Sequence, residues 1–392
     1  MNPALPKKDS INILRKGWVS IIRCQSYDSA LVQEAVRKAI DLIGGISNFI
    51  KPQSKVLVKP NLLMAKEPES GIDTHPEVVR AVIKILKGIN CKIFVGDGPS
   101  VWGNQIENVN EVYRRSGIEK VCQEEGVPLV KFDKRRMREK FPLTTWVDDC
   151  DFLVNVPKFK THDLTILTGA IKNLFGLVSG TFKTELHKNY FDQNEFSKIL
   201  VDIYQEVKPA LTVVDGIIAM EGDGPATSGK LRNLNLLLAG SDCVALDSVM
   251  AQIMGLEPFD VLSTKEAAKR GLGVADIKSI SIAGEKLEEV KVEPFLLPST
   301  SSLKKNIPKP IIKLAKKLIK YYPCVERDNC ILCAACIESC PNKAIRMNPA
   351  PARRGWVKFD YSKCIACFCC QEACPASAIK VKKSFFTKLL GL

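Results

Sequence analysis

The stretch Cys330-Ile-Leu-Cys333-Ala-Ala-Cys336-Ile-Glu-Ser-Cys340-Pro341 returns 34 residues later as Cys364-Ile-Ala-Cys367-Phe-Cys-Cys370-Gln-Glu-Ala-Cys374-Pro375. The match continues past the cysteines, because Pro341-Asn-Lys-Ala-Ile345 corresponds to Pro375-Ala-Ser-Ala-Ile379. The segment is an internal duplication of one C-x2-C-x2-C-x3-C-P run. Ten of the 15 cysteines lie between Cys324 and Cys374. The other five, Cys24, Cys91, Cys122, Cys150 and Cys243, show no repeating spacing. A chain of 392 residues buries enough surface to need no disulfide staples, and 15 is an odd number. The cysteines therefore read as reduced thiols that ligate metal.

Each x2 loop is tight enough to wrap one corner of a cluster and aim backbone N–H groups at sulfur. The distant Cys-Pro closes the cage and couples the two halves. Zinc also takes four thiolates, but usually from two separated C-x2-C pairs. The repeat resembles a bacterial-type ferredoxin carrying two 4Fe-4S clusters, in which the fourth cysteine of each run ligates the other cluster. That resemblance implies one cluster on Cys330, Cys333, Cys336 and Cys374, and a second on Cys364, Cys367, Cys370 and Cys340. Cys369 reads as a spare thiol and Cys324 as a non-ligand. With all ligand positions filled by protein, such a domain moves electrons, and something else must use them.

Outward from the repeat the charge is uneven. From Leu303 to the end there are 18 Lys+Arg against 5 Asp+Glu, which is nearly all of the chain's formal +14. The basic balance belongs to the tail, so a basic stripe on the main domain, and with it nucleic-acid binding, is not expected. Residues 291–322 read as a linker, broken by Pro, Ser and Lys, that leads into a basic amphipathic helix. Ile311, Leu314, Ala315, Leu318, Ile319 and Tyr322 share one face of it, and Lys313, Lys316, Lys317 and Lys320 the other. Residues 382–392 repeat the theme. Such segments dock onto their own domains, onto a redox partner protein, or onto a membrane surface. Hydrophobic residues make up 46% and charged residues 26%, as in an ordinary soluble protein. No apolar run is long enough to span a bilayer, and Met1–Ser10 lacks an apolar signal core. The expected location is cytoplasmic, and the many thiols fit an anaerobic setting.

Residues 1–290 alternate β-branched runs with amphipathic stretches. The pattern predicts an α/β domain with a largely parallel sheet flanked by helices, ahead of a small α+β ferredoxin-like domain at 323–381. Predicted strands are Trp18–Arg23, Lys55–Lys59, Lys92–Val95, Phe152–Val156, Leu211–Val214 and Leu236–Ala239. Predicted helices are Ala30–Ile43, Pro76–Gly88, Glu195–Val207 and Cys243–Met254, the second capped by Asp73 or Thr74. Polar residues cluster after strand upon strand, at the carboxyl edge where open α/β sheets bind ligands. This edge is the crest of the sheet. Turn chemistry accounts for its glycines and prolines. It does not account for Lys59, Lys158, Lys160, His162, Lys172 and Asn173.

Several lysines at one crest point to an anionic ligand. Asp97, Asp215, Glu221 and Asp223 are candidates to hold a metal or a ligand hydroxyl. Of the three histidines, His162 is the candidate for proton transfer or metal ligation, and His75 assists a helix cap. No GxGxxG follows a strand and no P-loop is present, so standard dinucleotide and nucleoside-triphosphate sites find no support in the sequence.

Four strings carry a further resemblance: Val58-Lys59-Pro60-Asn61; Asn155-Val156-Pro157-Lys158-x-Lys160-Thr161-His162; Lys172-Asn173-x-x-Gly176; and Asp215-Gly216-x3-Met220-Glu221-Gly222-x-Gly224-Pro225. Together they resemble the family called domain of unknown function 362, over most of residues 50–275. That family often carries a C-terminal two-cluster ferredoxin module and implies no settled reaction. The overall plan is more remotely similar to nickel-dependent lactate racemase, which implies a metal or small-acid site.

Three functions follow as expectations. The first is an oxidoreductase whose clusters feed a small anionic substrate. Lys158, Lys160, Lys172 and Asp215 would position it, His162 would move protons, and Lys59, Asn61, Asp97, Asn173 and Glu221 would bind ligand. The second is a non-enzymatic electron carrier whose α/β domain docks a redox partner. The third is a metal- or ligand-binding sensor.

Overall fold

The computed structural model describes residues 17–99, 106–179, 182–189, 192–299, 321–348 and 356–384. The expected basic helix before the ferredoxin domain and most of the basic tail lie outside the described residues.

In chain order the strands of the first domain are β1 (Trp18–Arg23), β2 (Lys55–Pro60), β3 (Lys92–Val95), β4 (Arg135–Arg138), β5 (Phe141–Thr144), β6 (Phe152–Val156), β7 (Lys158–His162), β8 (Ile166–Thr168), β9 (Leu211–Gly222), β10 (Gly229–Gly240) and β11 (Ser281–Gly284). The main sheet runs β11-β1-β10-β9-β6-β2-β3, with β7 and β8 attached beside β9. Strand side chains alternate between faces, and both faces here are apolar. Val56, Val58, Val154, Val156, Leu237 and Ala239 pack on one side with the helices Ser29–Leu42 and Pro76–Gly88. Leu57, Leu153, Leu236 and Leu238 pack on the other with the helices Gln193–Val207 and Cys243–Ile253. Helices on both faces of a largely parallel sheet make the domain α/β.

Two sequence expectations need correction. Leu211–Val214 and Leu236–Ala239 are parts of two 12-residue strands that form one hairpin, and β10 is antiparallel to both of its neighbours. Asp215-Gly216 looked like a turn, but a buried partner keeps Asp215 inside the strand. Lys158–His162 is a further strand and not a loop. Its start pairs with Asp215 of β9, so the lysine-rich string extends the sheet beyond Pro157.

The ferredoxin domain keeps the symmetry of its duplication. Strand β12 (Tyr321–Val325) pairs with β15 (Ile379–Lys383), and β13 (Ile345–Asn348) with β14 (Trp356–Phe359). One-turn helices occupy Ala335–Glu338 and Cys369–Glu372. Left-handed backbone recurs at matching places: Leu332 and Ala366, Ala334 and Phe368, Lys343 and Ser377. Among the described residues no helix is long and apolar enough to cross a membrane.

Candidate functional site

The site begins with β7. Lys158, Lys160 and His162 stand two apart, share one face of the strand and are all buried. Phe159 points the opposite way into the core. Lys158 Nζ lies 2.8 Å from Asp215 Oδ2, with side-chain exposures of 1% and 0%. It also donates to Tyr27 Oη at 2.7 Å, and Tyr27 Oη donates to Asp215 Oδ1 at 2.7 Å. His75 N–H donates to Asp215 Oδ2, and the His75 ring stacks on Tyr27 with centroids 3.6 Å apart. Burial pulls the His75 imidazole down to about 4, so it is neutral near pH 7. Its Nδ1 accepts from Glu77 N–H, which makes His75, and neither Asp73 nor Thr74, the cap of the helix Pro76–Gly88. Thr74 instead donates to Val156 C=O and accepts from Asn61 N–H.

A second buried pair lies across the crest. Lys59 Nζ is 2.7 Å from Asp97 Oδ1 and donates to Asn173 Oδ1 and Pro60 C=O. Asn61 and Asn155 complete the amide network around Asn173. Gly176 is glycine for a steric reason. A Cβ there would stand 2.3 Å from Asp97 Oδ1 and 2.6 Å from Lys59 Nζ. Lys183 bridges the carbonyls of Gly98 and Gly176, and burial brings it down to about 8.

Lys160 and Lys172 differ from these paired lysines. Lys160 donates to Ile72 C=O at 2.6 Å. Burial, only partly offset by nearby Asp73, brings it to about 7. Burial also raises the Asp73 carboxyl to about 7 and lowers Lys172 to about 8. Burial raises the carboxyl of Glu372, a residue of the ferredoxin domain, and the charges of Lys172 and Lys160 partly offset this. Glu372 Oε1 is 3.5 Å from His162 Nε2. His162 Nδ1 accepts from Leu164 N–H, so in the neutral ring the proton is on Nε2, toward Glu372. The ferredoxin domain is thus seated on the crest. Thr227 Oγ1 donates to Cys374 C=O, Ser377 Oγ to Thr227 C=O, and Lys66 Nζ to Pro375 C=O.

The cysteines gather in two groups. Burial, then the closeness of Cys374, Cys333 and Cys330, pushes the Cys336 thiol up to about 12. Burial, then Cys367 and Cys340 among its neighbours, raises Cys364. Cys340, Cys364, Cys367 and Cys370 line one cavity with Ile345, Phe359 and Phe368 as apolar wall. Ala344 N–H points at Cys340 Sγ, and Ala378 N–H at Cys374 Sγ, at matching places in the two copies. Two groups of close cysteines, with N–H groups aimed at sulfur, fit thiolates that bind iron–sulfur clusters. Among the described residues no group of three or more His, Cys, Asp or Glu is arranged to hold a single metal ion.

The structure therefore brings Lys160, His162 and Lys172 to the domain junction. It places Lys158 with Asp215, and Lys59 with Asp97, Asn61 and Asn173, in flanking networks. Glu221 stands apart, paired with Arg232 at 2.7 Å and accepting from Leu296 N–H. Asp223 holds Ser299. These acidic residues do not converge on a common metal. Sequence reasoning missed Tyr27, Asp73, Lys183 and Glu372. Only Glu372 left a trace, since it sits between two cluster cysteines.

A family model described as Domain of unknown function (DUF362) matches residues 56–252, and one described as 4Fe-4S dicluster domain matches residues 329–378. The chain is 34% identical over 261 residues to "Thylakoid-associated protein sll1697" of Synechocystis sp., covering 65% of this chain and 79% of that protein. A solved structure, the lactate racemase apoprotein from Thermoanaerobacterium thermosaccharolyticum, aligns with a TM-score of 0.36 and 16% identity, over 58% of this chain and about half (55%) of that one. The matched span contains the lysine strings, their buried carboxylate partners and the glycine that packs on them, and the chain belongs to the domain of unknown function 362 family, joined to a 4Fe-4S dicluster ferredoxin domain.

Proposed function

We propose that the chain is an iron–sulfur oxidoreductase in which two 4Fe-4S clusters exchange electrons with a small anionic substrate at the junction of crest and ferredoxin domain. One cluster would take Cys330, Cys333, Cys336 and Cys374, the other Cys340, Cys364, Cys367 and Cys370. One observation carries this reading: Glu372, between Cys370 and Cys374, stands 3.5 Å from His162, within the electrostatic reach of Lys160 and Lys172. When bound, such clusters supply single electrons, at potentials spanning roughly −700 to +450 mV across the class. The chain's own residues do the rest. An anion beside Lys160 and Lys172 would offset the burial that lowers them and hold both protonated. His162 holds a proton at Nε2 beside the same place. Lys158, Asp215 and Tyr27 fix the strand and the helix cap that frame it.

The outer copy of the repeat supports contact with a redox partner protein, since Cys333 is exposed there and Ile331 is 64% exposed. The carrier alternative is favoured by the Lys59–Asp97 and Lys158–Asp215 pairs, which leave those lysines no charge to offer a substrate. The thiol-rich composition keeps a reducing, cytoplasmic setting part of the proposal.

Anaerobic purification with iron, sulfide, nickel and zinc counted per chain, followed by reductive EPR titration, tests this reading. It expects about eight irons, about eight sulfides and two interacting reducible clusters. About two zincs without sulfide would overturn it.

A further inference from the structure

A second concavity, separate from the crest, is lined by two helices. Glu195, Lys198, Ile199 and Asp202 follow the i, i+3, i+4, i+7 spacing, so they share one face of the helix Gln193–Val207. The helix Phe182–Asn189 contributes Phe182 and Leu186 to the lining, and β5 contributes Phe141. Phe141, Leu186 and Ile199 belong to the main apolar core, and Phe182 packs against it. The groove encloses about 510 Å³, within the roughly 300–1,000 Å³ typical of small-molecule sites. None of its lining residues belongs to the crest or to the cysteine runs.

Around Asp202 the groove carries cationic donors that are not spent. Arg270 donates through Nε to Glu266 at 2.8 Å and through Nη1 to Asp202 Oδ1. Its Nη2 has no hydrogen-bond partner among the described residues. Lys140 Nζ stands 3.6 Å from the other oxygen, Asp202 Oδ2, beyond hydrogen-bonding distance. One carboxylate therefore holds two cations together, each with N–H groups to offer. The side chains of Arg270 and Asp202 are 26% and 24% exposed, so their pairing is largely shielded from water. Elsewhere on the rim Glu195 is answered by Lys198 at 2.7 Å, and Glu185 is exposed.

We infer that this groove binds a monocarboxylate with an apolar body, of the aryl-alkanoate or medium-chain acyl class. The carboxylate accepts from Arg270 Nη2 and Lys140 Nζ, a charge-assisted arrangement that Asp202 sets in advance by holding both cations. The apolar body covers Phe141, Phe182, Leu186 and Ile199, and burial of that surface drives binding. Lys183, the neighbour of Phe182, donates to the Gly98 and Gly176 carbonyls of the crest. Groove and crest therefore adjoin across one helix, yet they share no lining residue.

Calorimetric titration of the full chain, loaded with clusters and kept anaerobic, tests the inference. The probes are 3-phenylpropionate and octanoate. The controls are 3-phenylpropanamide, which lacks the charge, and acetate, which lacks the apolar body. Wild type should bind at least one probe saturably and both controls about tenfold more weakly or worse. Lys140→Gln, at a side chain 72% exposed, should fold normally and weaken the probe about tenfold, the scale of one charge-assisted hydrogen bond. Phe182→Ala should weaken it about fivefold through lost apolar contact. Lys172→Met, at the crest, should leave the affinity unchanged. Failure of wild type to bind either probe saturably would overturn the inference. So would an amide that binds as tightly as its acid, or undiminished affinity in Lys140→Gln. Loss of binding in Lys172→Met would place the acid at the crest and overturn it equally. The titration reads neither iron content nor electron transfer, so the groove and the redox reading can fail separately.

Discussion

Lys158 and Asp215 are buried together, so removing one strands the charge of the other. Lys158→Met should cost about 3–5 kcal/mol in anaerobic chemical denaturation. Adding Asp215→Asn should recover most of that loss. The asparagine oxygen can still accept from His75 N–H, and its NH2 can donate to Tyr27 Oη. A double variant as unstable as the single one would show that the pair is not the source of the cost. The lysines at the crest were legible as residues because turn chemistry could not explain them. Asp97 and Asp215 were legible as candidates too, but not the pairing of these residues with the lysines. Tyr27, Asp73 and Asp215 lie far apart in the chain, and only the sheet brings them beside Lys158 and Lys160.

The short helix Ala170–Asn173 shows what holds these networks in place. Asp247 accepts from Ala170 N–H at 2.6 Å and Ile171 N–H at 3.2 Å, and burial raises its carboxyl to about 7. A raised folded-state value means that the folded protein binds the extra proton. This stabilising contribution is full below about pH 4 and is lost as pH rises through 7. Asp247→Asn should flatten stability between pH 4 and 7, as denaturation at several pH values would reveal. An unchanged slope would remove Asp247 from the account. Beside the same helix, Gly176→Ala drives a Cβ into the Lys59–Asp97 pair and should cost about 3 kcal/mol, the scale of a broken buried pair. Gly88→Ala, with nothing within 4 Å, should instead gain about 0.5–1 kcal/mol. Strand and helix positions were largely readable from the sequence because apolar periodicity sets them. The long β9–β10 hairpin was not, because Asp-Gly and Glu-Gly-Asp-Gly are turn signals in sequence. A buried lysine and a neighbouring strand override the first of them.

At the scale of the whole molecule, the sequence separates two domains but does not say which faces meet. The two copies of the cysteine run are nearly interchangeable as text. In the folded molecule they differ, with Glu338 exposed and Glu372 buried. Under the proposed function the crest and the clusters share one site. Lys172 lies more than 150 residues before the first cluster cysteine, yet the charge of Glu372, beside the second run, acts on it. Its positive charge favours the more negative, reduced state of any cluster placed there. The most direct test is an EPR redox titration of Lys172→Met against wild type, near pH 7, where Lys172 is still mostly protonated. One cluster should shift to a more negative potential while the other stays nearly fixed. Two unmoved potentials in a folded, fully loaded variant would contradict it, placing the crest electrically apart from the clusters.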